Sequence, residues 1–195
     1  MKKITLALSL LLAVSFANAQ FSKGSTYVSG GLGFNSDNNK NTELKSSNYN
    51  FSPSFSYLIT SNWAVGAKLN FGGTSADSKD SSGKTITKKG STTGIGVFGR
   101  YYFTPANKFS LFANIGLDYN TSKPNSSVDY KSNEMSFGVT PGINYFVSDH
   151  FSIEAGFGRL GYTSTKSNAS GDKGSSSFGL NLDLSTISFG LNYKL

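Results

Sequence analysis

The sequence predicts an all-β chain, folded as an eight-stranded antiparallel up-and-down transmembrane β-barrel. Eight segments alternate apolar and polar residues with a period of two, and the gaps between them are alternately short and long. The apolar positions hold Phe, Tyr, Leu, Ile and Val, whereas the polar positions hold mainly Ser, Gly and Asn. Inward side chains converge on the axis of a narrow barrel, so the bulky groups belong outside. An apolar exterior of this kind requires lipid.

Residues 1–19 have the features of a cleaved secretory signal. Two lysines follow the first methionine, an apolar stretch too short to span a bilayer comes next, and small residues end the segment. We expect cleavage between Ala19 and Gln20, so that residues 20–195 form one outer-membrane β-barrel domain.

The composition excludes several kinds of structure. The chain has no cysteine, so it forms neither a disulfide framework nor a thiolate metal site. After the leader, no apolar run approaches the ~20 residues that a membrane helix needs. The formal net charge is +7 and becomes +5 when Lys2 and Lys3 leave with the leader. Most of the remaining lysines fall in the long gaps, so the basic character belongs to the loops.

The alternation places eight strands in order along the chain. Each is long enough to cross a hydrocarbon layer of ~30 Å, because a tilted membrane strand needs about 9 to 11 residues. The predicted strands cover residues 24–35, 46–59, 63–73, 92–103, 109–120, 133–147, 151–163 and 176–195.

The two faces of each strand differ in size and polarity. In strand two, the odd positions from Tyr49 to Ile59 hold bulky side chains, and the even positions hold serine and asparagine. A Lys or Arg that faces lipid near the midplane costs about 2 to 4 kcal/mol, so charges inside the strands test the face assignment. In strands three to seven five charged residues take the parity opposite to the apolar side chains, and Arg159 is the exception. We assign them to a lumen charge network that comprises Lys68, Arg100, Asp118, Glu134 and Glu154.

Strands seven and eight change parity part-way. Arg159 shares the parity of Phe157, but the apolar residues beyond it lie at even positions, and strand eight switches from even to odd positions after Leu184. One extra residue in each strand, a β-bulge, returns Arg159 and Asp183 to the lumen network. We therefore predict a bulge in each strand.

Two prolines lie in mid-strand, where a closed ladder has no edge to accommodate a missing N–H. They are Pro53 in strand two and Pro141 in strand six. We expect a local bulge or one lost hydrogen bond at each.

The connections predict the orientation. Those after strands two, four and six are short (60–62, 104–108 and 148–150), whereas those after strands one, three, five and seven are long and polar, the longest running over 74–91. Short turns on one side and long loops on the other are typical of bacterial outer-membrane barrels. We expect periplasmic termini and extracellular loops.

Aromatic residues cluster near the predicted strand ends, where rings with a polar tip suit the headgroup level. Core packing in a soluble sandwich is the alternative explanation. The interfacial aromatics on the short-turn side include Tyr57, Trp63, Tyr101, Phe103, Tyr145 and Tyr193, and those opposite include Phe34, Tyr49, Phe71 and Tyr119.

Two hairpins and the C-terminus resemble a known family. The stretches Gly96–Tyr119 and Thr140–Tyr162, with the ending SFGLNYKL, are similar to the outer-membrane protein β-barrel domain family, akin to small OmpA-type and OmpX-type barrels. The resemblance covers essentially the whole mature chain. It implies an eight-stranded barrel, an outer-membrane location and insertion by the barrel-assembly machinery through a C-terminal signal.

The sequence motifs that suggest cofactor binding or catalysis are weak evidence for either function. Gly94-x-Gly96-x-x-Gly99 fits the dinucleotide fingerprint only by letter, because that fingerprint needs a following helix and the chain continues as a strand. His150, the sole histidine, lies in a short turn, so it cannot pair with a serine on the long-loop side. We expect no enzymatic activity, no catalytic residue, no cofactor, no metal and no nucleic acid partner.

The predicted role is that of an integral outer-membrane barrel, a monomer, with a lumen filled by side chains. Eight strands leave an interior just wide enough for side chains. The long loops then serve envelope integrity or surface interaction, and their lysines are candidates to bind outer-membrane lipid or lipopolysaccharide. The alternatives are a narrow channel for small solutes and a lipocalin-like carrier, which requires an apolar interior and a polar coat.

Overall fold

A computed structural model describes residues 21–40, 44–79, 81–125, 130–169, 171–181 and 187–195. This part of the chain contains no helix long and apolar enough to span a bilayer. Its strands are β1 (Thr26–Asn39), β2 (Leu44–Leu58), β3 (Trp63–Lys79), β4 (Thr85–Tyr102), β5 (Phe109–Pro124), β6 (Ser132–Phe146), β7 (Phe151–Gly156), β8 (Arg159–Ser167), β9 (Ser175–Asn181) and β10 (Ser188–Lys194).

The strands form one closed antiparallel barrel. Segments β7 and β8 together make the seventh wall strand, and β9 and β10 make the eighth. Each wall strand pairs with its sequence neighbours, and β1 pairs with β10, from Tyr27↔Lys194 to Leu32↔Phe189, which closes the ring. The predicted eight-stranded up-and-down barrel is confirmed.

The outer wall carries the bulky apolar side chains. Along β4, for example, Ile95 and Val97 are 62% and 56% exposed, whereas Gly96 between them is buried. The same period-two exposure continues around the barrel, because successive side chains of a strand point to opposite faces. A lipocalin-like arrangement with a polar coat is therefore excluded.

The strands extend further than the alternation indicates. β3 and β4 stay paired up to Lys79↔Thr85. The prediction of a long loop over 74–91 is therefore wrong, because most of this segment forms a β-hairpin. The turn of the hairpin includes Gly83 at φ 80°. The other long connections also shorten, as β1 and β2 pair to Asn39↔Leu44. Polar residues occupy both faces of these extensions, so the period-two signal disappears while the backbone ladder continues.

The bulge predicted in strand seven is present. β6 pairs with β7 at Gly142↔Gly156 and with β8 at Val139↔Leu160. Between these two pairs β6 advances by three residues and the neighbouring strand by four, so the neighbouring strand contains one extra residue. Gly158 takes φ 68°, a left-handed conformation that glycine adopts without a Cβ penalty. The bulge lies opposite Pro141, whose carbonyl accepts a 3.1 Å hydrogen bond from the Phe157 N–H.

Strand eight contains a larger irregularity than the single extra residue predicted. Between the pairs Gly156↔Ser188 and Arg159↔Asn181, strand seven advances by three residues and strand eight by seven. The prediction of one extra residue is therefore wrong in size. Residues 182–186, including Asp183, lie outside the described part of the chain.

Pro53 interrupts one ladder without shifting it. β2 and β3 pair at Phe51↔Phe71 and again at Ser54↔Lys68 in the same register, with no pairing in between. On its other side, Pro53 stays paired with Gly30 of β1. The proline thus loses ladder contacts on one side only, and no bulge forms there.

Candidate functional site

The middle of the lumen is crossed by an arginine–glutamate pair. Arg100 on β4 lies opposite Glu154 on β7, with Nη1–Oε2 and Nη2–Oε1 distances of 2.5 and 3.3 Å. Two parallel charge-assisted hydrogen bonds hold the planar guanidinium in one orientation. Its central carbon also lies 4.1 Å from the ring centroid of Phe112, within the range of a cation–π contact. The two side chains are only 13% and 15% exposed.

An aromatic plug fills the lumen at the short-turn end. Phe21 is 1% exposed and stacks on Tyr102 with 3.7 Å between ring centroids. Its ring meets Phe146 edge-on at 4.8 Å, and its N–H donates to the Pro105 carbonyl at 3.1 Å. We define the aromatic plug as the buried cluster of Phe21, Tyr27, Leu58, Ala64, Tyr102, Phe112 and Phe146.

A buried polar cluster lies on the same lumen wall. The Asn192 amide donates to Asn144 Oδ1 at 3.0 Å, to Ser152 Oγ at 3.1 Å and to Glu154 Oε2 at 3.1 Å. Ser152 Oγ in turn donates to Asn144 Oδ1 at 2.9 Å. This cluster joins the carboxylate of the central pair to the packed end of the lumen, and it satisfies Asn144 Oδ1, Ser152 Oγ and Asn192 Nδ2. Asn144 Nδ2 and Asn192 Oδ1 are buried there without a hydrogen-bond partner.

The long-hairpin end of the lumen is an open polar cavity. It has a volume of about 480 Å³ and is lined by side chains from six wall strands. Lys68 Nζ lies 2.9 Å from Asp118 Oδ1, and Asn70 donates to the same carboxylate oxygen at 3.1 Å. Glu134 and Arg159 also line this cavity. Within the described ranges, no carboxylate lies within 4.0 Å of the Arg159 guanidinium.

The charged side chains lie over glycines of neighbouring strands. A Cβ at Gly96 would collide with Asp118 and approach Lys68 Cε to 2.8 Å, and one at Gly138 would lie 2.6 Å from Arg159 Nε. A Cβ at Gly190 would lie 2.8 Å from Glu154 Cγ. The lumen glycines therefore provide the space in which the large polar side chains lie flat.

The predicted network consists of two separate ion pairs. Lys68–Asp118 lies in the open half and Arg100–Glu154 at the border of the packed half, while Glu134 accepts a long hydrogen bond of 3.5 Å from Asn120. Arg159 faces the same cavity from β8. Three residues singled out in the sequence, namely Ala19, Gln20 and Asp183, lie outside the described residues.

Sequence reasoning did not find the aromatic plug. The alternation itself contained a signal, since Leu58, Tyr102, Phe112 and Phe146 are large residues on the lumen parity of their strands. Phe21 precedes β1, so no alternation predicts its position.

The interfacial aromatics lie on the outer wall close to the short turns. The rings of Trp63 and Tyr101 are 5.1 Å apart, and Phe103 meets Tyr101 edge-on at the same distance. Tyr193 stacks on His150 at 6.1 Å. The remaining two, Tyr57 and Tyr145, are 44% and 36% exposed.

The motif residues for other chemistries do not assemble. Gly94, Gly96 and Gly99 all lie inside β4, which continues to Tyr102, so no helix N-terminus follows them. In the portion of the chain with described coordinates, no three His, Cys, Asp or Glu residues gather as a metal site.

Comparison with solved structures gives the same fold. OprG, an outer membrane protein from Pseudomonas aeruginosa, is 16% identical with a TM-score of 0.58, and the match covers 91% of this chain and 99% of that one. Neisserial surface protein A, NspA, is 15% identical with a TM-score of 0.52, covering 89% and 98%. No curated protein sequence matches the chain.

The model of one protein family matches almost the whole sequence. It is the outer membrane protein beta-barrel domain, and the match covers residues 4–194. The closed barrel, its apolar outer wall and its polar lumen agree with that description, and an outer-membrane location follows from it. The chain belongs to the outer membrane protein beta-barrel domain family.

Proposed function

We propose that the protein is a monomeric, closed outer-membrane barrel that acts through its surfaces and does not conduct solutes. In this proposal the termini and short turns face the periplasm, and the four long hairpins face outward and serve envelope integrity or surface interaction. The expected partners are the outer-membrane lipid, including lipopolysaccharide, and the barrel-assembly machinery during insertion.

The aromatic plug is the observation that carries the proposal. Its side chains are almost fully buried inside the barrel, and Phe21 packs against rings from β1, β4 and β6. Protein interiors packed in this way leave no voids that a hydrated ion can cross. The Arg100–Glu154 pair adds a second obstruction directly beside the plug.

The position of Phe21 agrees with removal of the leader. Cleavage after Ala19 would leave Phe21 as the second residue of the mature chain. A short N-terminal segment can then turn into the barrel mouth, and the hydrogen bond from the Gly24 N–H to the Leu58 carbonyl, 2.9 Å long, fixes that turn.

An enzymatic role has little support in the lumen. His150 lies in the turn between β6 and β7 and stacks on Tyr193, on the side opposite to the open cavity. The carboxylates of Asp118 and Glu154 are engaged in ion pairs. We propose that the protein is not an enzyme.

A narrow channel is the second candidate. The cavity of about 480 Å³ opens at the long-hairpin end and exposes both Lys68 and Arg159. Such a vestibule would become a conducting path if the plug moved aside.

Planar-bilayer recording tests the two candidates. We expect no steady unitary conductance from the wild-type barrel. Phe21→Ala should increase the frequency of brief current events, because it removes the central ring of the plug, whereas Phe34→Ala, the same change at a residue 75% exposed on the outer wall, should not. Steady unitary conductance of the wild type would instead establish the channel.

A further inference from the structure

A second cavity lies on the outer wall, just beyond the lipid-facing belt. It has a volume of about 650 Å³ and is lined by residues of β2, β3, β4 and β5. Its floor is formed by small residues, Gly73, Ser75 and Ser91, and Tyr49 covers Gly73 from one side. These residues share the parity of the lipid-facing Phe71 and Ile95, so the groove opens sideways from the barrel and not into its lumen.

Two lysines border this groove. Ser91 pairs with Lys123 of β5, and Lys89 lies two residues further along β4 on the same face. Diagonal neighbours of this kind lie ~7 to 8 Å apart, with their Cβ atoms somewhat closer, so both flexible ammonium groups can reach one anion between them. Within the described parts of the chain, no carboxylate lies within 4.0 Å of either lysine. Both side chains are exposed.

The height of the groove matches the headgroup layer of a bilayer. Lys123 lies four residues beyond Tyr119 on β5, which is ~13 Å along the strand and ~10 Å along the membrane normal at a tilt of ~40°. The headgroup region is ~5 to 7 Å thick on each side, and lysine side chains bend toward it. From this height the Lys123 ammonium group can reach the level of lipid phosphates. Lys89 lies two residues further out in the same register, so its side chain has to extend toward the membrane to reach the same level.

We propose that this groove binds the phosphorylated sugar headgroup of an outer-leaflet glycolipid. The acyl chains would lie on the apolar wall directly below, against Phe71 and Ile95, and a phosphate would lie between Lys89 and Lys123. Tyr49 is 62% exposed and offers a ring face to a sugar, while Ser75 and Ser91 offer hydroxyl groups to its oxygens. This inference rests on the proposed membrane placement and names one site within it.

An amphipathic ligand fits the groove better than a soluble anion does. The groove is continuous with the lipid-facing surface, so a bound lipid loses no contact with the membrane, whereas a free anion gains only two exposed ammonium groups. Exposed ion pairs of that kind contribute little by themselves.

Native mass spectrometry of the detergent-solubilised barrel with diphosphoryl lipid A tests the site. We expect the wild type to retain the lipid and the double variant K89Q/K123Q to bind it roughly tenfold more weakly, since two charge contacts are lost. K166Q/K173Q removes the same charge at the same end of the barrel but away from the groove, and should change binding less than twofold. Equal losses in both double variants would show diffuse charge attraction and overturn the site.

Further measurements separate the ligand sources and the two proposals. Dephosphorylated lipid A should bind about as weakly to the wild type as diphosphoryl lipid A binds to K89Q/K123Q. Inorganic phosphate that displaced the lipid at equal concentration would overturn the lipid assignment. K89R/K123R should keep binding, and the single Gln variants provide the test if K89Q/K123Q does not fold. If K89Q/K123Q still shows the heat-dependent gel shift of a folded barrel but binds the lipid as tightly as the wild type, only the groove proposal is refuted. If the wild-type chain is freely water-soluble, the membrane placement itself is refuted.

Discussion

The two ends of the barrel are built by the same strands but packed in opposite ways. At the short-turn end, Phe21, Tyr102 and Phe146 stack inside the lumen, and Asn144 and Ser152 have no exposed surface. At the long-hairpin end, the lumen is an open cavity of about 480 Å³, and the outer wall becomes polar. Packing inside a small barrel can therefore be local: side chains fill the lumen at one end, while the other end of the same strands encloses an open cavity.

The largest expected effect is on the free energy of unfolding, and it distinguishes an arginine in the middle of the outer wall from one at the long-hairpin end. Val97 and Ser91 lie on the outer face of the same strand, β4, with Val97 inside the apolar belt. We expect Val97→Arg to lower the free energy of unfolding in lipid vesicles by about 2 to 4 kcal/mol, the cost of an arginine near the bilayer midplane. Ser91→Arg should change it by less than about 1 kcal/mol, because that side chain reaches the headgroups. Equal stability of both variants, measured by urea titration, would show that Val97 does not face lipid.

The next largest effect is the difference in stability lost when each of the two lumen ion pairs is broken. Glu154→Ala leaves Arg100 partly buried beside Phe112, and we expect a loss of about 2 to 3 kcal/mol, reduced from the fully buried case because the pair is 13% and 15% exposed. Asp118→Ala should cost about 1 kcal/mol, because Lys68 can turn into the open cavity and be hydrated.

Urea titration of both variants in the same vesicles measures this difference. If Asp118→Ala were the more damaging change, the assignment of a packed and an open half would be reversed.

The smallest effect lies outside the barrel wall, in the turn between β8 and β9. The Gly174 and Ser167 N–H groups donate to the Asp172 carboxylate at 2.8 and 2.6 Å, and they hold its pKa below the usual range. Because the folded pKa is depressed, the turn is stabilised above the ordinary carboxyl pKa of ~3.9, and this contribution is lost as the pH falls through the folded value.

The amide shifts of Ser167 and Gly174, followed by NMR from neutral to acidic pH, should report this titration. Asp172→Asn should abolish it. A midpoint above the ordinary aspartate range would contradict the arrangement.

The lipid-facing wall was predictable from the sequence because each strand repeats one chemical contrast. Val97 and Arg100 lie on opposite parities, and the cost of a charge in lipid makes that opposition informative. The bulge before Arg159 was predictable for the same reason, since only an extra residue reconciles the odd parity of the apolar residues up to Phe157 with the even parity of Leu160. The size of the irregularity in strand eight was not, because alternation reports whether the shift is odd but not how many residues it contains.

The hairpin extensions and the aromatic plug could be identified only from the structure. Beyond Gly73 the residues are polar on both faces, so hydrogen bonding alone continues β3, and that leaves no periodic signature. Phe21 finds its place through contacts with residues from three distant strands, which a local pattern does not encode. The two lysines of the outer groove are ordinary in sequence, and only the register of β4 against β5 brings them together.

The paired extension of β3 and β4 sets the height of their connecting turn above the bilayer. From Phe71 to Lys79 the strand rises ~27 Å along its axis, hence ~20 Å along the membrane normal, well past a headgroup layer of ~5 to 7 Å. The turn at Gly83 is therefore held clear of the bilayer by backbone hydrogen bonds, at a height where large water-soluble reagents have access. An epitope or protease site placed there would report, on intact cells, which compartment the hairpins face.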